Sequence, residues 1–119
     1  MARKKLQGQV ALITGASRGI GAATAERLAA AGATVMLTAR DEDALGAVSS
    51  QIRQDGGMVG YAPSDISDPD SLEPLIEETL ERFKRVDILV NNAGILAPLD
   101  EIAEADLDEW AYNVHVNLI

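Results

Sequence analysis

The sequence predicts an α/β fold: a doubly wound parallel sheet of about four strands, with helices on both faces. Short aliphatic runs recur along the 119-residue chain and are apolar almost throughout, which is typical of strands buried on both faces of a parallel sheet. Segments of helical composition separate these runs, so the order along the chain is β-α-β-α-β-α-β-α. Right-handed crossovers then place helices on both faces of the sheet.

Four runs are the predicted strands. VALIT (10–14), TVMLTA (34–39) and DILVN (87–91) are the most apolar, and MVGYA (58–62) is weaker. The weaker run is expected nearer an edge of the sheet, where one side of a strand is less covered. Numbered along the chain, the strands are expected in the order 3-2-1-4.

The first two helices have readable ends. An alanine-rich stretch from about Ile20 to Ala31 predicts the first, with Gly32 in the position that a left-handed helix stop prefers. The second is expected to open with Asp41 as its cap and to close at Gly56-Gly57.

The third helix is predicted around Asp68-Pro69, because proline suits the first turn, and it continues to about Arg85. Pro74 has to fall within the first turn or it destabilises the helix. We therefore expect this helix to start nearer Asp70.

A fourth helix is predicted over residues 106–118. Asp106-Leu107-Asp108-Glu109 has a capping-box pattern. Apolar side chains then recur at helical spacing, namely Leu107, Ala111, Val114 and Leu118.

Composition narrows the classes of partner. The net charge of −9 disfavours nucleic acid and anionic membranes, which need a continuous basic surface, although a small anion can still bind locally. The chain has no cysteine, which excludes disulfides and thiolate metal sites and fits a cytoplasmic location. No apolar run is long enough for a membrane span, and the start lacks the apolar core of a signal peptide.

Residues 1–8 are predicted to be a solvated basic tail, and residues 9–119 a single domain. The tail carries Arg3, Lys4 and Lys5. His115 is the chain's one histidine, and we interpret it as an ordinary helix residue, since no second histidine or acid pattern suggests a metal site.

The segment TGASRGIG (14–21) joins the first strand to the first helix. Such a turn aims backbone N–H groups and the positive end of the helix dipole at one point, where a phosphate fits. Gly15 would allow the tight turn, Gly19 would let a pyrophosphate approach the backbone, and Gly21 would let the helix pack closely on the strand. A plain tight turn is the alternative, but the placement between strand and helix favours the phosphate site.

With this loop the chain resembles the short-chain dehydrogenase/reductase family, whose nucleotide loop is TGxxxGxG. Further matches follow in order: Asp65 in SDIS, Asn91-Asn92-Ala93-Gly94 (NNAG), and Val116-Asn117. The resemblance implies the cofactor-binding half of a Rossmann fold. Lys84 stands where the family often has a helix-ending glycine, so this helix is expected to end differently.

The resemblance also implies roles for individual residues. Asp65 resembles the acid that accepts a hydrogen bond from the adenine amino group, with Ile66 beside the ring; a turn or cap residue is the alternative. The backbone near the ribose would come from Asn91, Ala93 and Gly94, while the asparagines also tie strand ends together. The implied cofactor contacts in the loop are Gly15, Ser17, Arg18, Gly19, Ile20 and Gly21.

The charge after the second strand indicates which nucleotide binds. An acid there bonds the ribose 2′-hydroxyl of NAD, whereas a basic residue accommodates the 2′-phosphate of NADP. Ala39 stands where the acid would be, Arg40 follows it, and the resemblance implies that Arg18 points to the same region. NADP is therefore favoured over NAD, although Asp41 either caps the next helix or weakens the preference.

The resemblance implies proton transfer by a tyrosine with a lysine four residues later, plus a serine upstream of them. This chain lacks the catalytic serine and the tyrosine–lysine pair. Neither Tyr61 nor Tyr112 is followed four residues later by lysine, so there is no Tyr-x-x-x-Lys. Of the catalytic residues, only Asn117 has a counterpart, resembling the asparagine that orients a water. The prediction is the NADP-binding portion of an oxidoreductase, shortened before Tyr-x-x-x-Lys and inactive alone.

The alternative is a stand-alone nucleotide-binding or self-associating module without catalysis. Its basis is the fourth strand, DILVN, which would leave a bare apolar edge. Two copies pairing these edges would form a homo-oligomer.

Overall fold

The computed structural model describes residues 4–91 and, for the backbone alone, residues 115–118. The strands are β1 (Val10–Thr14), β2 (Thr34–Ala39), β3 (Val59–Pro63), β4 (Ile88–Asn91) and β5 (His115–Leu118). The helices are α1 (Gly19–Ala30), α2 (Glu42–Gln54) and α3 (Leu72–Phe83), with a 3-10 turn (Pro69–Ser71) leading into α3.

The strands form a parallel sheet in the order β3-β2-β1-β4-β5. The predicted order 3-2-1-4 is confirmed, and so is the edge position of the weaker third strand. The fold is half of a Rossmann architecture, in which parallel strands alternate with crossover helices.

The structure corrects the prediction for the end of the chain. The backbone of residues 115–118 is not helical but forms β5, which pairs with β4 in parallel, with Asn117 opposite Val90. Strand pairing satisfies the N–H and C=O groups on the outer side of β4, and this tertiary gain outweighs a local helical pattern. The rest of the predicted fourth helix, 106–114, lies outside the described residues.

The same pairing removes the basis for the predicted oligomer contact. The outer edge of β4 is not bare, because each of its four residues has a partner in β5. The proposed association through that edge is therefore wrong in its premise.

The core lies on both faces of the sheet because side chains alternate along each buried strand. Ala11 and Ile13 of β1 pack toward α1 and α2, whereas Leu12 packs toward α3. All three are fully buried. This double burial explains why the strands are apolar throughout rather than alternating.

Helix ends follow local chemistry. The Asp41 side chain caps α2 by accepting a 3.0 Å hydrogen bond from the Ala44 N–H, as predicted. Pro69 starts the 3-10 turn, and Pro74 falls in the first turn of α3, where the missing N–H costs no helix bond. Lys84 takes the left-handed conformation that ends α3, with φ 72°, so it replaces the expected glycine without changing the way this helix ends.

The amino ends of β1 and β4 are joined by a buried carboxylate. Asp87 Oδ2 accepts a 2.8 Å hydrogen bond from the Val10 N–H, and the Asp87 N–H donates to the Val10 carbonyl. Arg85 forms a bidentate ion pair with the same carboxylate. This link fixes the register of β1 against β4 at the edge opposite the glycine loop.

The first described residues are docked rather than extended into solvent. The Leu6 N–H donates a 2.8 Å hydrogen bond to the Ala31 carbonyl, and the Leu6 side chain packs on the core. Lys4 and Lys5 are exposed. Residues 1–3 of the predicted tail lie outside the described part of the chain.

Candidate nucleotide site at the carboxyl edge of the sheet

Parallel strands bring their carboxyl ends to one edge, and four of the chain's segments meet there. The glycine loop follows β1, Arg40 follows β2, Ser64 and Asp65 follow β3, and Asn91 ends β4. Two backbone bonds tie neighbouring segments together: the Ala16 N–H donates to the Thr38 carbonyl at 3.1 Å, and the Ser64 N–H donates to the Ala39 carbonyl at 2.9 Å. The sequence thus assembles most of its candidate site residues at one place.

The glycine loop takes the geometry that its glycines permit. Gly15 and Gly19 both have φ of 60°, a conformation that other residues rarely adopt. Ala16 between them is fully buried and anchors the loop to the core. Among the residues that the structure describes, a side-chain carbon at Gly19 would meet nothing within 4 Å, so they leave the space over this glycine open to a ligand.

The start of α1 presents uncompensated N–H groups. The first residues of an α-helix have no partner for their N–H groups within the helix, and here these are Gly19, Ile20 and Gly21. Within residues 4–91 the side chain of the capping residue, Arg18, makes no cap bond, and the first turn carries no acidic residue. The positive end of the helix dipole is therefore available to an anion.

Two neighbouring residues in the first turn of α1 differ in burial. Ile20 is 64% exposed, which is unusual for a large aliphatic side chain. Gly21 is buried, consistent with the close approach of helix and strand that the glycine pattern predicts.

Arg18 and Arg40 supply the positive charge. Both are exposed, and neither forms an ion pair or a side-chain hydrogen bond within the part of the chain that the structure describes. Asp41 caps α2, which settles one of the two roles left open for it. Asp41 is thus held by the helix, whereas the two guanidinium groups have no hydrogen-bonded partner within residues 4–91.

Asp65 lies in a turn that follows β3. Its Oδ1 accepts hydrogen bonds from the Ser67 hydroxyl and, at 2.9 Å, from the Ser67 N–H. These bonds, together with the charge of nearby Arg40, hold the pKa of the Asp65 carboxyl below its usual value. The turn role is therefore real, and an ionised carboxylate also remains exposed beside Arg40. Ile66 is half-buried.

Asn91 ties two strand ends together. Its Oδ1 accepts a 3.0 Å hydrogen bond from the Thr14 hydroxyl, and the residue is 5% exposed. The predicted structural role of the asparagine pattern is visible at this position. Asn92, Ala93 and Gly94 lie outside the described residues.

Asn117 was predicted on a helix, but its backbone lies in β5, opposite Val90 and one residue short of the end of β4. Its catalytic role remains a prediction.

Two polar contributors were missed by sequence reasoning. Thr14, the first residue of TGASRGIG, is buried and links β1 to β4. Ser67 organises the Asp65 carboxylate. The signal for the backbone part of this contact was present, because an aspartate side chain in a turn commonly bonds the backbone two residues further on.

Comparison with known proteins identifies the family of this chain. The family model described as short chain dehydrogenase matches residues 9–119. The chain belongs to the short-chain dehydrogenase family. As a family member it is 42% identical to the 3-oxoacyl-[acyl-carrier-protein] reductase of Escherichia coli over 113 residues, which are 94% of this chain and 44% of that protein.

Solved structures of family members are similar to this chain in both sequence and fold. A metagenomic short-chain oxidoreductase in complex with NADP is 44% identical, with a TM-score of 0.71, over 88% of this chain and 49% of that one. A short-chain dehydrogenase from Burkholderia phymatum in complex with NAD is 37% identical, with a TM-score of 0.72, over 80% of this chain and 33% of that one. The chain spans about half the length, or less, of the short-chain dehydrogenases it matches.

The described residues offer neither a membrane span nor a metal site. None of the helices there is long and apolar enough to cross a membrane. Over the same residues, no group of three or more histidine and acidic side chains is arranged to hold a metal ion.

Proposed function

We propose that this chain binds NADP(H), in preference to NAD(H), at the carboxyl edge of its sheet. It would supply the nucleotide-binding half of an oxidoreductase that moves hydride between the nicotinamide and an alcohol or carbonyl substrate. The observation that carries the proposal is the start of α1, which no side chain of residues 4–91 caps. Arg18 immediately precedes it, Arg40 follows the neighbouring strand β2, and neither arginine forms an ion pair within the same residues.

The loop fits a pyrophosphate. The N–H groups of Gly19, Ile20 and Gly21 have no helical partner, and the space over Gly19 is open. An anion there gains hydrogen bonds and the favourable field of the helix dipole without displacing a capping side chain. A family member in complex with NADP and another in complex with NAD support dinucleotide binding here.

The preference for NADP is argued from charge. A 2′-phosphate at the end of β2 would lie near Arg40, and Arg18 is the first residue before α1 on the adjoining loop. Guanidinium groups bind phosphate through strong, charge-assisted hydrogen bonds. NAD has only a hydroxyl at this position, so it would gain less from either arginine.

The adenosine end would be held between the strand ends. We propose that Asp65 accepts a hydrogen bond from the adenine amino group, with Ile66 against the ring. Backbone groups of Asn91, Ala93 and Gly94 would line the ribose, and the Thr14 bond to Asn91 would keep the end of β4 in place.

The bound nicotinamide supplies the hydride chemistry. Within these 119 residues neither tyrosine is followed four residues later by lysine, so the chain as it stands offers no tyrosine–lysine pair to move the proton. Asn117 would orient a water in that relay. We propose that this polypeptide alone binds nucleotide without turnover; self-association and a cytoplasmic location stay predictions.

Calorimetric titration of the wild-type chain and Arg40→Ala with NADP and NAD tests the proposal. The wild type should bind NADP more tightly, and Arg40→Ala should weaken NADP binding about tenfold while leaving NAD nearly unchanged, because one charge-assisted contact corresponds to about one factor of ten.

Arg27→Ala is the matched control. Arg27 is an exposed residue in the last turn of α1, about 12 Å along the helix from its start, so the same change of net charge there should leave both affinities unchanged. Equal affinity for NADP and NAD in the wild type, unaltered by Arg40→Ala, would refute the 2′-phosphate assignment.

A further inference from the structure

The carboxylate of Asp65 is held on one side only. Its Oδ1 accepts from both the hydroxyl and the N–H of Ser67. Within residues 4–91, Oδ2 of the same carboxylate makes no hydrogen bond or ion pair. A single serine therefore bonds one oxygen twice, and within residues 4–91 the other oxygen of this exposed residue has no bond.

The turn that carries this pair is itself fixed. The Ser64 N–H donates to the Ala39 carbonyl at 2.9 Å, which joins the turn to the end of β2. The Asp68 N–H donates to the Asp65 carbonyl at 3.0 Å and closes the turn. With the backbone fixed on both sides, the remaining freedom lies in the Asp65 side chain.

We propose that Ser67 is a positioning residue for purine recognition, holding Oδ1 of Asp65 so that Oδ2 is presented to an exocyclic amino group. The inference rests on the proposed function, since the purine is the adenine of the dinucleotide. The contact would be made by Asp65, and Ser67 acts through it.

Positioning matters because Asp65 is exposed. A free side chain of this kind samples several rotamers and loses that freedom when a ligand binds. Two bonds to Oδ1 restrict the side chain before the ligand arrives. Loss of the hydroxyl bond, which leaves the N–H bond in place, should weaken binding through Asp65 by about threefold to tenfold, the range expected for one modest polar contact.

Calorimetric titrations with NADP and with its hypoxanthine analogue, in which a carbonyl replaces the amino group, test the inference. Ser67→Ala should weaken NADP binding by about threefold to tenfold and leave the hypoxanthine analogue unchanged. Ser67→Thr keeps both donors and should restore NADP affinity.

Ser71→Ala is the matched control, because the Ser71 hydroxyl donates to the Asp68 carbonyl in the same segment without touching Asp65. It should bind both nucleotides like the wild type. In an Asp65→Ala background, Ser67→Ala should have no further effect on NADP affinity.

The outcomes separate this inference from the proposed function. If the wild type binds NADP and Ser67→Ala binds it equally well, or loses both nucleotides to the same degree, the positioning role is refuted and NADP binding stands. If the wild type binds neither nucleotide, the proposed function fails and the inference fails with it.

Discussion

At the scale of single residues, the backbone of Lys84 holds an avoidable strain. Its φ of 72° is the left-handed conformation that ends α3, and among the described residues other than glycine it is the one with a positive φ. This conformation is sterically strained for a residue with a Cβ, whereas glycine adopts it without strain.

Replacing Lys84 with glycine should therefore stabilise the protein. We expect Lys84→Gly to raise the free energy of unfolding by about 0.5–1 kcal/mol, measured by urea denaturation. Lys84→Ala, which removes the charge but keeps the Cβ, should change it little. If both substitutions changed the free energy of unfolding by the same amount, the strain at Lys84 would not explain the gain in stability.

Asp87 is the residue whose loss should cost the most among the charged groups described. It is 5% exposed and accepts from the buried end of β1 as well as from Arg85. Asp87→Ala leaves the Val10 N–H without that acceptor. It should lower the free energy of unfolding, measured by urea denaturation, by about 2–3 kcal/mol.

Glu81→Ala is the control for that change, since Glu81 is exposed on α3 and forms no ion pair within residues 4–91. It should alter the stability by less than about 0.5 kcal/mol. A cost for Asp87→Ala no larger than this would mean that the buried link contributes little.

Residue roles were predictable from sequence to different degrees. The conformations of Gly15 and Gly19 follow from their place between a strand and a helix, and the structure agrees. The bond between Thr14 and Asn91 joins residues 77 positions apart, so no local pattern could reveal it. The roles of the site residues toward a cofactor remain predictions.

At the scale of elements, the start of α2 depends on one cap. The Asp41 carboxylate accepts from the Ala44 N–H, which satisfies a donor that the helix leaves open. Asp41→Ala should lower the free energy of unfolding by about 1 kcal/mol. Asp41→Ser, which keeps a capping oxygen, should recover most of the loss.

Glu42→Ala provides the comparison for this cap, because Glu42 is the adjacent exposed acid and makes no hydrogen bond within the described residues. It removes the same charge near the start of α2 but keeps the cap. If both substitutions cost the same, charge and not capping would explain the effect.

Element boundaries were predictable where a local signal sets them. The cap at Asp41 and the proline at position 69 each act within a few residues, and α2 and α3 begin close to where these signals indicate. The strand β5 was missed because its cause is distant: residues 115–118 pair with β4, while the spacing of their apolar neighbours fits a helix equally well. For such short runs, pairing across the sheet determines whether they form a strand or a helix.

At the scale of the whole molecule, the order of the strands determines where the site lies. In the order 3-2-1-4, the chain adds β2 and β3 on one side of β1 and then β4 on the other side. Ligands bind at the carboxyl ends of the strands beside such a change of direction. The fold, the strand order and the family were all predictable, because each depends on patterns repeated along the chain. The choice between NADP and NAD depends on two exposed side chains and has to be measured.

The most direct test of the account is to follow backbone amide signals by NMR while NADP is added. Because main-chain N–H groups at the start of α1 are proposed to hold the pyrophosphate, the largest shifts should fall on Gly15, Gly19, Ile20 and Gly21. Gly56 and Gly57, at the far end of α2, should be unaffected. Unchanged signals at the loop under conditions where NADP binds would contradict the account.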